Sequence, residues 1–256
     1  MYYRTWRINR KIIQVIELSS RNISLSAIQF TPLPKNPEKA YKKLSPLIKT
    51  ASELSDLVVL PELATTNYLF DSEEEILPFA EVQGGKFLNI LQSCNMGKSH
   101  IVAGFIEKTE DEKLFNSAYI VYPDNSYSVY RKNLLYDADM TWANPGNVPY
   151  PIFDVKGFSV TVGICMDLND NIFTNFCESN YIEVVALPIN WLDQDKDVRP
   201  YWRYRLDYDC LLVAANKYGS EKDISFRGYS TIMYSNYILA EMGAIGDGLI
   251  VYDYEE

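Results

Sequence analysis

Histidine is nearly missing from this chain of 256 residues, with His100 the single example. Zinc sites usually set His and Cys close together, and Cys94, Cys165, Cys177 and Cys210 have no CxxC-type spacing, so neither a metal nor another cofactor is expected. A Cys–His or Ser–His dyad would have to use His100, which sits in NMGKSHIVAG, a turn entering a buried strand. A hydrolase built on this sequence would therefore take its base from another residue type. Positive charge is scarce as well, with 24 Lys and Arg against 34 Asp and Glu and a formal net charge of −10. A protein that tracks phosphates needs the opposite balance, so neither nucleic acid nor an anionic membrane surface is expected as a partner. No apolar run approaches the ~18 residues a membrane helix needs. Gly and Pro, 12 of each, are not in excess, which excludes collagen-like and low-complexity classes. With few cysteines and no secretory signal peptide read at the start, reduced thiols and a cytoplasmic location are expected.

What is present fits an ordinary globular protein, 47% hydrophobic and 23% charged, and long enough to bury a large core. Residues 1–22 stand apart. Arg4, Arg7, Arg10, Lys11 and Arg21 face a single Glu17 there, which reads as a basic extension or a poorly ordered arm before a domain spanning 23–256. ISLSAIQF alternates as a strand, with Leu25 and Ala27 opposed to Ser24 and Ser26. Asn36–Pro37 reads as an N-cap followed by a first-turn proline, and Ala40, Leu44, Leu47, Ile48, Ala51 and Leu54 follow at helical spacing, with Pro46 as a kink. DLVVLPEL and EVVALPINW are apolar runs stopped by proline, as in strands covered on both faces, and they echo each other as if two related halves met at one cleft. KFLNILQSCN, DNIFTNFCESN and PYWRYRLDYD read as helices. IVAGFIEK, GFSVTVGIC and LLVAANKYG read as strands, and hairpins are expected over 116–135 and 226–241. This alternation predicts one α/β domain with helices on the faces of its sheet.

Three groups lie just past predicted strands. Cys165 ends GFSVTVGIC on its small, polar side, before a turn into a helix. A nucleophile at such a turn is lifted out of the sheet, and the next backbone N–H is free for an oxyanion. Glu62 follows VVLP, and strand ends are where open α/β sheets bind ligands. Arg131 and Lys132 follow SYSVY with side chains on opposite faces, so that one can point inward.

LPEL with Glu62, YRKNLL with Lys132 and GICMD with Cys165, followed by LPINW, PYWRYRL, AANKYGSE and FRGYS, resemble the nitrilase, or carbon–nitrogen hydrolase, superfamily over about residues 23–254. The resemblance implies a four-layer α-β-β-α sandwich that pairs into homodimers through its helices. It makes Cys165 the nucleophile and Glu62 the base and later the acid. Lys132 would stabilise the tetrahedral intermediate together with the Met166 backbone N–H. Family members carry a second glutamate between the lysine and the cysteine. LLYDADMTWANPGN offers Asp139 near that position, one methylene shorter, with Asp137 as the alternative. ICMDLN and YWRYRL look most like the branch that deamidates amino-terminal asparagine of proteins, so Asp167, Asp193 and Asp139 are candidates to hold a substrate ammonium, and Asn190 and Trp191 to contact substrate.

The expected activity is hydrolysis of a primary carboxamide to carboxylate and ammonia through a cysteine thioester. Expected substrates are the side-chain amide of an amino-terminal Asn or Gln, or the ω-amide of a small acid. The alternatives are nitrile hydrolysis, acyl transfer to an added acceptor, and a catalytically silent scaffold that binds a partner.

Overall fold

The computed structural model describes residues 20–31, 36–97 and 99–256, and the backbone of an antiparallel ribbon, Tyr3–Ile8 with Lys11–Ile16. The rest of the basic segment, and so the expectation for its order, lies outside the described residues. Arg21 itself belongs to the body. Its guanidinium bonds Glu183 and the Gly157 carbonyl, each at 2.6 Å, pairs with Glu256, and lies 4.4 Å from the centre of the Phe158 ring.

Two six-stranded sheets form the centre. The first orders its strands Gly248–Glu255, Asn22–Gln29, Leu57–Val59, His100–Lys108, Leu114–Val121 and Tyr127–Arg131. The second orders Tyr237–Glu241, Thr231–Tyr234, Leu211–Ala215, Val184–Pro188, Phe158–Val162 and Phe153–Val155. Each has a parallel trio at its heart, and LVVLP and VVALP supply the middle strand of each. The echo between them is thus structural: they occupy equivalent places in two sheets that pack face to face.

Alternation within the strands divides the core. Leu25, Ala27, Leu57, Val59, Val102, Ala118 and Ile120 turn inward and pack with Val160, Val162, Val184 and Val213 of the other sheet. Their neighbours Ile28, Val58, Ile101, Ala103 and Tyr119 turn outward and pack under the helices Pro37–Leu54 and Lys86–Cys94. The helices Asn171–Ser179 and Arg199–Arg205 cover the second sheet through Phe173, Cys177 and Trp202. The result is the four-layer α-β-β-α sandwich that the family resemblance implied, with two sheets where the alternation of strands and helices alone predicted one. The strand Asn22–Gln29 departs from simple half-burial: Ser26 and Ile28, on the face opposite Leu25 and Ala27, are fully buried too, because a helix layer lies over the face that alternation alone would give to water.

Local signals account for the helix starts. Asn36 caps the first helix by accepting the Lys39 N–H at 3.1 Å, with Pro37 in its first turn, and Asp170 accepts the Ile172 N–H at 2.8 Å. Several elements have no counterpart in the sequence reading, among them the short helix Glu73–Ile76, the edge strand Phe153–Val155, the small hairpin Tyr218–Glu221 with Ile224–Arg227, and the last strand, Gly248–Glu255, which pairs antiparallel along all of Asn22–Gln29. No helix among the described residues is long and apolar enough to cross a membrane.

Candidate active site

The chemistry-bearing residues lie where the parallel strands end. Glu62 follows Leu57–Val59 through Leu60 and Pro61. The backbone then reverses at Leu63, whose φ of 45° lies in the left-handed region. The neighbouring strand runs tight against this turn. A Cβ on Gly104 would lie 2.6 Å from the Glu62 Cα and the Leu63 nitrogen and 2.7 Å from the Pro61 carbonyl oxygen. These are backbone atoms and cannot swing aside. Gly104→Ala is therefore expected to cost about 1–3 kcal/mol of stability, the usual range for overpacking, and to shift Glu62. A urea melt with a wild-type midpoint would contradict it.

Glu62, Lys132 and Asp139 are all fully buried. The Lys132 Nζ donates to Glu62 Oε1 and to Asp139 Oδ2, each at 2.6 Å. Asn116 spans the same two carboxylates, its Nδ2 donating to Glu62 Oε1 at 2.7 Å and to Asp139 Oδ1 at 3.1 Å. Asp139 thus reaches Lys132 despite its shorter side chain, because the turn Asp139–Thr141 carries its backbone inward and the Tyr136 N–H braces Oδ2 at 3.0 Å. Asp137 is exposed. Arg131 takes the other face, as alternation predicts, but it is paired with Glu107 at 2.6 Å instead of being solvated.

Burial drives the Glu62 carboxyl above its ordinary pKa, against the pull of Lys132 and with the help of Asp139. Burial also pulls the Lys132 ammonium down, but Asp139 and then Glu62 outweigh it and keep the cation charged. The remaining carboxylate oxygen, Glu62 Oε2, is buried and unpartnered.

Cys165 opens the short turn Cys165–Asn169 after the strand Phe158–Val162, with a φ of 44°. A left-handed backbone at a residue with a Cβ is uncommon and marks a strained, sharp turn. Burial holds the Cys165 thiol well above its usual pKa, and Glu62 pushes the same way. Lys132 and the Asn190 backbone N–H favour the thiolate. The resting group is a thiol beside a carboxylate, so proton transfer must accompany its attack.

A cleft of about 610 Å³, counted to its open mouth, stands over Cys165, lined among others by Tyr68, Tyr136, Met166, Asn190 and Trp191. Through Asn169, Trp191, Leu192 and Gln194 it continues into a second depression lined by Lys196, Asp197, Val198 and Tyr201. Asn190 lashes the two halves together, its Nδ2 donating to the Glu62 carbonyl at 3.0 Å, while its Oδ1 is buried and unpartnered.

The three aspartates expected to hold an ammonium do not form a site for one. Asp167 accepts from the Asn133, Leu134 and Ile164 backbone N–H groups and from the Tyr130 hydroxyl, at 3.0, 2.9, 2.8 and 2.7 Å. Four donors fill the acceptor positions of a carboxylate, so Asp167 is a buried knot that ties the cysteine turn to the lysine segment. Asp193 pairs with Arg227 at 2.8 Å, and Asp139 is committed to Lys132. His100 begins its strand opposite Leu57, at the far end from Glu62, and stacks on Phe153. Asn116, Tyr68 and Tyr136 are site residues that the sequence reading missed. Only Asn116 left a trace, as an amide side chain inside the mostly apolar strand Leu114–Val121.

Among known proteins, the family model for carbon–nitrogen hydrolases matches residues 24–253. A nitrilase of Pyrococcus abyssi (strain GE5 / Orsay) is 31% identical over 218 residues, which cover 82% of this chain and 80% of that protein. A protein N-terminal amidase of Saccharomyces cerevisiae is 27% identical over 207 residues, 67% of this chain and 45% of the relative, so the chain spans less than half of that protein's length. A crystal structure of N-terminal amidase with an Asn-Glu-Ala peptide superposes with a TM-score of 0.78 over 92% of this chain and 98% of the other, at 16% identity, a likeness of fold. With its two-sheet sandwich, its strand-end Glu62, Lys132 and Cys165, and a family match over nearly its whole length, the chain belongs to the carbon–nitrogen hydrolases, enzymes of the nitrilase superfamily that act on carbon–nitrogen bonds other than peptide bonds.

Proposed function

We propose that this carbon–nitrogen hydrolase is a thiol amidase that removes ammonia from the side-chain amide of an amino-terminal asparagine or glutamine. The observation that carries the reading is the cleft over Cys165, which runs on into a second depression and so leaves a path for a chain attached to the amide. The N-terminal amidases among the relatives and the structural neighbours support it.

The steps follow from the geometry. Glu62, through its unpartnered Oε2, takes the thiol proton as the Cys165 sulfur adds to the carboxamide carbon. An ammonium has three N–H donors, and Lys132 spends two on Glu62 and Asp139, which leaves one for the oxyanion beside the Met166 backbone N–H. The carbon–nitrogen bond then breaks, Glu62 returns the proton to the departing ammonia, and a thioester remains. Water, deprotonated by Glu62, attacks the thioester and releases the acid and the thiol. With Asp139, Asp167 and Asp193 committed elsewhere, the substrate's α-ammonium is left to the unpartnered Asn190 Oδ1 and the face of Trp191.

The test is ammonia release from Asn- and Gln-initiated peptides, small ω-amides and nitriles, with and without an added amine acceptor. The peptides should turn over best. Preference for small amides would move the assignment to an ω-amidase, amide formation with the acceptor would make it an acyltransferase, and no product at all would leave the silent scaffold. The helices Asn171–Ser179 and Arg199–Arg205 present Ile172 and Tyr204 to solvent, and we place a homodimer contact there, which a monomer in sedimentation equilibrium would remove. The four cysteines are free and buried, which suits the cytoplasm. Localisation of a tagged chain to an oxidising compartment would count against that assignment.

A further inference from the structure

Beside the loop that follows Glu62 lies a second buried ion pair, between Lys217 and Glu221, which the proposed chemistry does not use. Lys217 follows the last parallel strand of the second sheet, Leu211–Ala215, and is 1% exposed, while the Glu221 side chain is 8% exposed. One oxygen of Glu221 receives the Lys217 ammonium. The other receives two consecutive backbone N–H groups, from Tyr68 at 2.8 Å and from Leu69 at 3.0 Å. Those groups belong to the loop that leaves Glu62 and runs back over the site, and Tyr68 is one wall of the Cys165 cleft. Lys217 also reaches the Thr66 carbonyl in the same loop at 3.5 Å and lies 4.9 Å from the centre of the Phe226 ring, against which Tyr68 packs edge-on.

The hairpin that carries this pair holds the opposite wall too. Arg227 donates its backbone N–H to the Trp191 carbonyl at 3.1 Å, and Leu192 bridges to Phe226. Asn216, just before Lys217, accepts the Trp191 N–H at 2.9 Å. A surface salt bridge would do little here, but a carboxylate that joins a buried cation to two loop amides sets the position of a backbone.

We propose that Glu221 and Lys217 are positioning residues for the amidase reaction: their ion pair clamps the Tyr68–Leu69 backbone so that the Tyr68 ring closes the cleft over Cys165 and orients the substrate amide. The proposal rests on the amidase reading above and deepens it. Burial lowers the Lys217 pKa, against the pull of Glu221, so the cation depends on its partner, and replacing either residue should loosen the wall.

The experiment is a double-mutant cycle of Glu221→Gln and Tyr68→Ala in the full chain, read by kcat/KM on an Asn-initiated peptide and by the rate at which iodoacetamide alkylates Cys165. Misplacing a substrate by about 1 Å can cost ~10²-fold, so Glu221→Gln should lose about 10–100-fold in kcat/KM. It should also alkylate faster than wild type, because the sulfur is less covered. Adding Glu221→Gln to Tyr68→Ala should cost little more than Tyr68→Ala alone. Glu221→Asp, which keeps the charge but falls short of the two amides, should show the same pattern more weakly, and serves if the Gln variant does not fold. A bracing role without positioning would lower turnover, alkylation and thermal midpoint together, with losses that multiply in the double variant. That result overturns the clamp, as do unchanged rates in folded variants. If the wild-type protein released no ammonia from any amide, the amidase reading would fail, and the alkylation cycle would still judge the clamp.

Discussion

Cys165→Ala is expected to abolish ammonia release from every amide substrate while leaving the protein folded. The sulfur lies at a strand-to-helix turn that opens into the cleft, and Cys165 is the one cysteine among the cleft's lining residues, so under the proposed mechanism its loss removes the thioester-forming atom. The other cysteines are expected to behave differently. Cys94 ends the helix Lys86–Cys94 on its buried face, and Cys177 and Cys210 lie in the main core. Their replacement by alanine should lower stability by about 0.5–1.5 kcal/mol each, as small core truncations do, with most turnover retained. The measurements are ammonia release for all four variants and mass-spectrometric mapping of the first alkylated cysteine. Labelling that starts at Cys210 and spares Cys165, or a Cys165→Ala variant that still turns over, would overturn the nucleophile assignment.

The second large effect separates Glu62 from Lys132. Glu62→Gln keeps the shape and an acceptor for Lys132 but cannot carry the proton, so a loss of about 10²–10⁴-fold in kcat/KM is expected, the usual worth of positioned acid–base catalysis. The pH dependence should change with it. The base must be deprotonated, and burial raises its pKa, so wild-type kcat/KM should climb with pH along a limb lying above the ordinary carboxylate range. That limb should vanish in Glu62→Gln. Lys132→Met should cost about 10²–10³-fold or more through the lost oxyanion donor, and it should also harm the fold. It leaves Glu62 and Asp139 buried around Asn116 with no cation between them, a loss of about 3–5 kcal/mol for a broken buried pair. Lys132→Arg should not rescue, because a planar guanidinium cannot replace a compact ammonium held at 2.6 Å by two carboxylates. Near-wild-type kcat/KM in folded variants of both residues would remove them from the mechanism.

Much of this arrangement was legible in the chain itself, because it depends on local chemistry. Apolar runs stopped by proline placed Glu62 and Asn190 at the ends of buried strands, and a small-residue strand ending in cysteine placed Cys165 at a turn. A helix cap was readable in Asn36–Pro37. Each of these signals sits within a few residues of the feature it determines. The family resemblance added which of these strand ends work together, and the sheet order brings them to one side of the sandwich.

Tertiary structure decided what depends on partners far along the chain. Asp167 looked like a ligand for substrate, yet three backbone N–H groups and a tyrosine hydroxyl, two of the amides more than thirty residues away, make it a structural knot. Asn116 and Tyr68 carry no motif and gain their roles only when the Leu114–Val121 strand and the loop after Glu62 converge on the cleft. The last strand, Gly248–Glu255, was not read from the sequence, and it takes its place by pairing with the edge of Asn22–Gln29, more than two hundred residues earlier. Sequence by itself determined the strand ends and the residue types placed there, since periodicity and turn chemistry act over a few residues. The packing of two sheets determined which groups are buried together, which carboxylates share the lysine and which wall closes over the cysteine, because burial and hydrogen-bond satisfaction are properties of neighbours that the chain order does not name.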